Sequence, residues 1–290
     1  MSMSSEQSRE TRENTYVIDS ESAAEMARLM RQDHLLTKGM GGLFPEGLDL
    51  SHVQNILDIA CGPGGWVQEI AFEHADIDVI GVDISERMIA YAKAQTEAQH
   101  LSNAHFQVMN ALKPLEFPDN SFDLVNTRLI VAFMLPEVWP TFLLECQRIL
   151  RPGGILRLTD LEWGLSNKPA FEKICDQFNQ ALHKAGQSFS PNGTHMGILP
   201  VLRRLASDAG FTSLGQKAHV IDFSYGMEAH EGFYHDLASA FKLLQPFISK
   251  MGIASPEELD ATYQQALREM TEEDFCGVWI LLTVWGYKPA

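Results

Sequence analysis

The residues with the most chemistry to offer are Asp58, inside the run Ile56-Leu57-Asp58-Ile59-Ala60-Cys61-Gly62-Pro63-Gly64-Gly65, and Asp83, which closes Val79-Ile80-Gly81-Val82-Asp83. In the first run an apolar strand pattern ends in an acid and then in glycines, and a helix pattern follows at once. Glycine lets a ligand approach the backbone where a Cβ would obstruct it, and the N–H groups that open a helix can hold a carboxylate or phosphate. Asp83 ends the next apolar run, where a carboxylate can accept from ribose hydroxyls. Together these features predict a strand–turn–helix nucleotide cradle with a sugar-binding acid behind it. The dinucleotide fingerprint GxGxxG is not met: the third-glycine position, counted from Gly62, is Val67, and an acid precedes the glycines. Both departures disfavour NAD.

The elements that must position these residues follow from periodicity. From Val53 onward, short apolar runs alternate with amphipathic stretches, the signature of βαβ units around a parallel sheet. The pattern predicts strands near 53–60, 77–83, 104–109, 122–129 and 155–161, with helices near 65–74, 85–99 and 136–150. Ser85 stands where an N-cap belongs, and Arg151-Pro152-Gly153-Gly154 reads as a helix stop and turn. Further on, helices near 169–185 and 197–209 precede a strand around 211–225. A helical insertion over 230–271 should be interrupted at Pro246, Gly252 and Pro256, and a last strand runs over 278–287. Residues 16–50, with an amphipathic helix over 21–36 and a glycine-rich loop from Gly39 to Gly47, and the 230–271 insertion look like additions to the sheet. In open α/β sheets the ligand binds outside the carboxyl ends of the strands, so additions near that rim would form a lid over a single domain spanning 16–290. Extra packing explains them as well. Residues 1–15 read as a frayed polar tail.

Composition narrows the function. A net charge of −16 with no basic stripe argues against nucleic acid. No apolar run reaches bilayer-spanning length. The four cysteines, Cys61, Cys146, Cys175 and Cys276, are far apart and form no CxxC pair, so they read as reduced thiols in a cytoplasmic protein. Nothing in the His and Cys spacing suggests zinc. Asn126 and Thr127 stand where an oxygen-ligated metal would need acids, so no metal is expected.

Three segments carry a family resemblance. Asp58-Ile59-Ala60-Cys61-Gly62-Pro63-Gly64, Phe117-Pro118-Asp119-Asn120-Ser121-Phe122-Asp123-Leu124-Val125 and Leu150-Arg151-Pro152-Gly153-Gly154 occur in the order found in class I S-adenosylmethionine-dependent methyltransferases. They most resemble the small-molecule group typified by the ubiquinone/menaquinone-biosynthesis enzymes, and the resemblance spans roughly 53–162. It implies a Rossmann-like sheet of seven strands in the order 3-2-1-4-5-7-6 with the last strand antiparallel. It also implies S-adenosyl-L-methionine as cofactor and S-adenosyl-L-homocysteine as product. By the same resemblance Gly62 and Gly64 would cradle the methionine portion, with Asp58, Ala60 and Pro63 also cofactor-binding, Asp83 would bind the ribose, and Ile84 and Met88 would pack on the adenine. Asn110 stands where the family usually has Asp; its amide oxygen can still accept from the adenine amino group, beside Ala111 and Leu112. Asn126, Thr127 and Arg128 end the fourth strand at the methyl-transfer face, where Arg128 could meet the cofactor carboxylate, the substrate or a surface acid.

The acceptor implied is a small molecule, apolar or aromatic if Met40, Leu43, Phe44, Phe233, Tyr234, Phe241 and Phe247 face the cleft; core packing would explain them equally. Tyr16, Trp66 and Phe133 are candidates for an aromatic face near a sulfonium. A protonated acceptor would need a base, for which the candidates are His34, His195, Asp160 and Glu162, with His230 and His235 in the insertion. Homodimerisation is allowed but not specified. Two other functions stay open at this stage: a non-catalytic module that binds the same cofactor, and an NAD(P)-dependent oxidoreductase.

Overall fold

The computed structural model describes residues 15–45 and 47–290, so the tail expected over 1–15 lies, except for Thr15, outside the described residues. The sheet is built from β1 (Asn55–Ile59), β2 (Asp78–Asp83), β3 (Ala104–Val108), β4 (Phe122–Arg128), β5 (Leu150–Ser166), β6 (Thr212–Asp222) and β7 (Gly277–Tyr287). Their order is β3-β2-β1-β4-β5-β7-β6. Strands β1 to β5 pair in parallel, and β7 is antiparallel to both β5 and β6. The expected seven-stranded Rossmann-like sheet is therefore present.

Central strands are covered on both faces, which is why β1 reads as a nearly unbroken apolar run: Ile56, Leu57 and Ile59 are wholly buried. Helices α1 (Ala23–Gly39), α2 (Gly65–Glu73), α3 (Glu86–Ala98), α4 (Trp139–Ile149), α5 (Pro169–Lys184), α6 (Leu199–Asp208), α7 (His230–Lys250) and α8 (Pro256–Glu269) complete the described elements. Local chemistry sets their ends. The Ser85 hydroxyl accepts from Met88 N at 3.1 Å, and Ser255 and Glu258 form a reciprocal capping box at α8.

Two expectations need correction. Helix α7 runs through Pro246 rather than stopping there. That residue lies on the exposed face, where water can take the freed carbonyl of Lys242, while Phe241, Leu244 and Ile248 hold both sides of the break in the core. The turn at Arg151–Gly154 does not separate helix from strand either. It lies inside β5 as an irregularity in which pairing jumps from Phe122↔Leu150 to Leu124↔Ile155. Gly153, at φ 77°, donates to Lys288 O, and Lys288 N returns to Gly154 O, both at 2.9 Å, so the bulge is stitched to the chain beyond β7.

Candidate functional site

The strand order reverses between β1 and β4, and one cavity of about 220 Å³ opens at the carboxyl ends of these strands. Such a switch point is where open α/β sheets take their ligands. Ala60 at φ 59° and Leu129 at φ 59° follow β1 and β4, and both line the cavity. A non-glycine residue in the left-handed region costs of order 1–3 kcal/mol, and such strain collects at functional sites.

The β1–α2 turn is held by Asp83. Its Oδ2 accepts from Gly62 N at 2.9 Å and its Oδ1 from Ser85 N at 2.9 Å. Each oxygen keeps a lone pair, and the residue lines the cavity. Burial pushes this carboxyl above its usual range, against the pull of those backbone donors. Gly62 (φ 54°) would place a Cβ in open space, with only Leu29 Cδ1 at 3.8 Å, so its backbone is open to an incoming group. Gly64 differs. At φ 82° its Cβ would strike Phe106 Cε1 at 2.5 Å and Ala92 Cβ at 3.0 Å, and it does not line the cavity. The missing side chain of Gly64 thus makes room for Phe106 of β3 and Ala92 of α3.

Other expected residues come together here. Asp58, Ala60, Pro63, Ile84, Met88, Ala111, Leu112 and Arg128 all line the cavity, as does Asn110, whose Oδ1 already accepts from Leu112 N at 2.8 Å. Asn126 does not line it. Fully buried beneath, it donates through Nδ2 to Asp58 Oδ1 at 2.7 Å. Arg128 is ion-paired with Asp33 of α1 and donates to Thr37 Oγ1 at 3.3 Å.

At the far end, cavity walls come from Phe133, Trp163, Phe178, Met196, Leu244 and Trp279, with Asp160 between them and the strand tips. Asp160 is buried; its oxygens accept from Val131 N and Leu161 N at 3.2 Å each. Burial outweighs those donors and lifts its carboxyl to about 8. Glu162 is instead committed to structure: it accepts from Met196 N and Gly197 N, both at 2.8 Å, and lies off the cavity. His34, His195 and His235 are exposed and off the cavity, and His230 is tied through Nδ1 to Phe223 O at 3.0 Å. Met40, Leu43, Phe44, Phe233, Tyr234, Phe241 and Phe247 do not line the cavity; they belong to or pack on the hydrophobic core. Of the three aromatic candidates, Tyr16 and Phe133 line the cavity, while Trp66 is buried in the core beneath it.

Sequence reading missed the contribution of α1. Its buried face carries Glu25, Arg28 and Gln32, spaced one helical turn apart. Arg28 donates to both Glu25 oxygens at 2.7 and 2.8 Å and to Asp236 of α7 at 3.1 Å, and Tyr16 Oη donates to Glu25 at 2.6 Å. Arg28 and Gln32 line the cavity. Polar side chains repeating at helical spacing were the available signal. Among the described residues no group of three His, Cys, Asp or Glu side chains could hold a metal, and no helix is long and apolar enough to cross a membrane.

The sheet order and the cleft at its switch point define the class: an α/β enzyme of class I methyltransferase architecture. Residues 56–154 match the family described as "Methyltransferase domain". Demethylmenaquinone methyltransferase of Listeria welshimeri is 30% identical over 189 residues, covering 60% of this chain and 78% of that one. Phosphoethanolamine N-methyltransferase 3 of Arabidopsis thaliana is 32% identical over 140 residues, 46% of this chain but 28% of the plant protein's length. Among solved structures, Haemonchus contortus phosphoethanolamine N-methyltransferase 2 in complex with S-adenosyl-L-methionine shares the fold at TM-score 0.50 and 21% identity, over 82% of this chain and 49% of that one. The chain belongs to the class I S-adenosylmethionine-dependent methyltransferases, and its fold and turn chemistry resemble the quinone-biosynthesis members.

Proposed function

We propose that the cleft holds S-adenosylmethionine at the β1–β4 end and presents its methyl group to a small, apolar, hydroxyl-bearing aromatic acceptor at the other. The observation that carries this reading is continuity: one cavity contains Gly62 and Asp83 at one end and Asp160, Trp163 and Phe178 at the other. The donor end fits its ligand, since the open Cβ direction at Gly62 leaves room for a group against the backbone. Bound there, the cofactor supplies an electrophilic methyl group on a cationic sulfonium.

The chain's residues do the rest. Asp83 takes the ribose hydroxyls on its remaining lone pairs. Ile84, Met88 and Leu112 pack on the adenine, beside Asn110 and Ala111. Arg128 meets the cofactor's carboxylate at the mouth of α2, where the helix N-terminus also favours a negative charge. Helices α1 and α7, cross-linked by Arg28 and Asp236, close the cleft from above and act as the lid. Asp160 takes the acceptor's hydroxyl proton: a base near 8 is far better matched to a phenol of pKa about 10 than an ordinary carboxylate of about 4. Alignment of two reactants in such a closed site supplies up to ~7–11 kcal/mol.

Calorimetric titration should show S-adenosylhomocysteine binding and no NADH binding. A turnover screen with labelled donor should favour phenols and quinols over amino alcohols. Turnover of amino alcohols alone would overturn the acceptor class, and preference for NADH would overturn the donor.

A further inference from the structure

Arg157 sits mid-strand in β5, wholly buried, and makes no ion pair among the described residues. Its Nε has no hydrogen-bond partner. The guanidinium stands over the rings of Trp66 at 5.7 Å and Phe44 at 5.8 Å. Burial, together with the like charge of Arg128, pushes it down to about 9. An ion kept in a core without a counter-charge costs several kcal/mol. The aromatic faces return only part of that. Packing does not account for such a residue, because methionine would fill the space without the charge.

Its one strong polar contact is informative. Arg157 Nη1 donates to Asn126 Oδ1 at 2.5 Å. An amide has an accepting end and a donating end. With the accepting end held by Arg157, Nδ2 is turned onto Asp58 Oδ1 at 2.7 Å. The reverse orientation would set the amide oxygen against the carboxylate. Asp58 lines the cleft, and its Oδ2 receives no hydrogen bond among the described residues. The groups facing Asp58 are Asn126 and Arg128 from β4, Asp33 from α1 and Arg157 from β5, with the Cys61 thiol beside it. Arg128 and Asp33 pair with each other. Burial lifts Asp58 to about 7, so its charge at neutral pH depends on the donors turned toward it.

We propose that Arg157 is a positioning residue of the donor site: through Asn126 it aims the ionised Asp58 carboxylate at the α-ammonium of S-adenosylmethionine. This rests on the cleft being the donor site. The line Arg157–Asn126–Asp58 crosses three adjacent strands, β5, β4 and β1, so each member's position is fixed by the sheet.

The test compares S-adenosylhomocysteine, which carries the amino-acid end, with 5′-methylthioadenosine, which lacks it. Titrations use the whole chain between pH 5.5 and 8.5. In the wild type, S-adenosylhomocysteine affinity should fall as pH drops through about 7. Arg157→Met should raise its Kd at least tenfold at pH 7 and move that fall to higher pH, while methylthioadenosine binds as before. Arg157→Lys should recover part of the loss and keeps the test open if the Met variant folds poorly. In the Arg157→Met background, Asn126→Ala should add little, because both changes cut one line. Equal weakening of both ligands, or no weakening of either, would overturn the positioning role. A folded wild type that binds methylthioadenosine but not S-adenosylhomocysteine overturns it too, and one that binds neither overturns the donor reading beneath it.

Discussion

Replacing Gly64 by alanine should lower thermal stability, whereas the same change at Gly62 should lower cofactor affinity. Both residues have positive φ, 82° and 54°, where an L-residue costs roughly 1–2 kcal/mol. At Gly64 the new methyl would also meet Phe106 Cε1 at 2.5 Å and Ala92 Cβ at 3.0 Å, both in the packed core. Overpacking of that kind adds about 1–3 kcal/mol. The sum, about 2–5 kcal/mol at about 2 °C each for a chain of this size, lowers the Tm of Gly64→Ala by about 4–10 °C. Gly62→Ala carries backbone strain alone, about 2–4 °C by the same conversion. Its methyl points into the cleft, however, where only Leu29 Cδ1 stands within 4 Å, at 3.8 Å. The S-adenosylhomocysteine Kd should therefore rise at least tenfold for Gly62→Ala, and much less for Gly64→Ala measured below its transition. Differential scanning fluorimetry and calorimetric titration on the two variants decide the matter. An unchanged Tm for Gly64→Ala, or an unchanged Kd for Gly62→Ala, would refute the assignment of the two glycines.

Asp83→Ala removes the acceptor for Gly62 N and Ser85 N as well as for the ribose, so S-adenosylhomocysteine affinity should fall by about 1.5–3 kcal/mol, roughly 10- to 150-fold in titration. A 2′-deoxyribose analogue should lose less than the natural ligand does. Glu162→Gln keeps one acceptor for Met196 N and Gly197 N, so it should lower Tm while leaving the shape of the activity–pH curve unaltered. A shifted curve would return Glu162 to the candidate bases. Asp160 keeps its proton to about 8 in the folded chain but only to about 4 unfolded. The native state therefore binds more protons in that window, and stability falls as pH rises through it. Asp160→Asn should flatten that slope in Tm against pH. It should also cut kcat/KM by about 10²–10⁴ and abolish the rise in activity toward pH 8. Parallel Tm slopes, or a retained alkaline rise, would remove Asp160 from the mechanism.

The parts of this protein legible in the sequence are those whose cause is local. Strands β1 and β4 show as apolar runs because both their faces are buried, the edge strand β3 alternates buried and exposed residues, and Ser85 shows as a cap because its hydroxyl acts three residues away. Asp58, Gly62 and Asp83 are legible for the same reason, lying at or just beyond the carboxyl ends of β1 and β2. The acceptor end was not. Trp163, Phe178, Met196 and Leu244 reach it from β5, α5, a loop and α7, and no spacing along the chain joins them. The aromatic residues of the insertion stayed open between cleft and core in the sequence, because an apolar side chain carries no mark of either. Phe233 and Phe241 have the same composition as a pocket lining, but Phe233 stacks on Phe223 and Phe241 meets Phe171 edge to face. Arg157 was visible as an arginine in a strand pattern, yet only the sheet register, which sets Asn126 against both Asp58 and Arg157, gives it a partner.

The two ends of the cleft place opposite demands on solvent, and the protein meets them with different residues. At the proposed donor end, Asp83 and Asp58 would stay ionised beside a zwitterion, and backbone N–H groups and the Asn126 amide are turned toward them. At the acceptor end the demand is reversed. As the proposed base, Asp160 would be useful only because its surroundings are dry: a wet chamber would return it toward about 4, some six units below a phenol. The Arg28–Asp236 bridge between α1 and α7 is buried, and its bidentate hold on Glu25 ties the Tyr16 hydroxyl to the same lattice. Burial opposes the charge on Arg28, but Asp236 and Glu25 outweigh it and hold the guanidinium above its usual value. The lattice thus fastens α1, α7 and the N-terminal strap at Tyr16 over the chamber around a guanidinium that keeps its charge, while burial raises the carboxyl of Asp236. On the proposed function the lid and the base are in this way one device: whatever loosens the closure would let in the water that makes Asp160 an ordinary carboxylate.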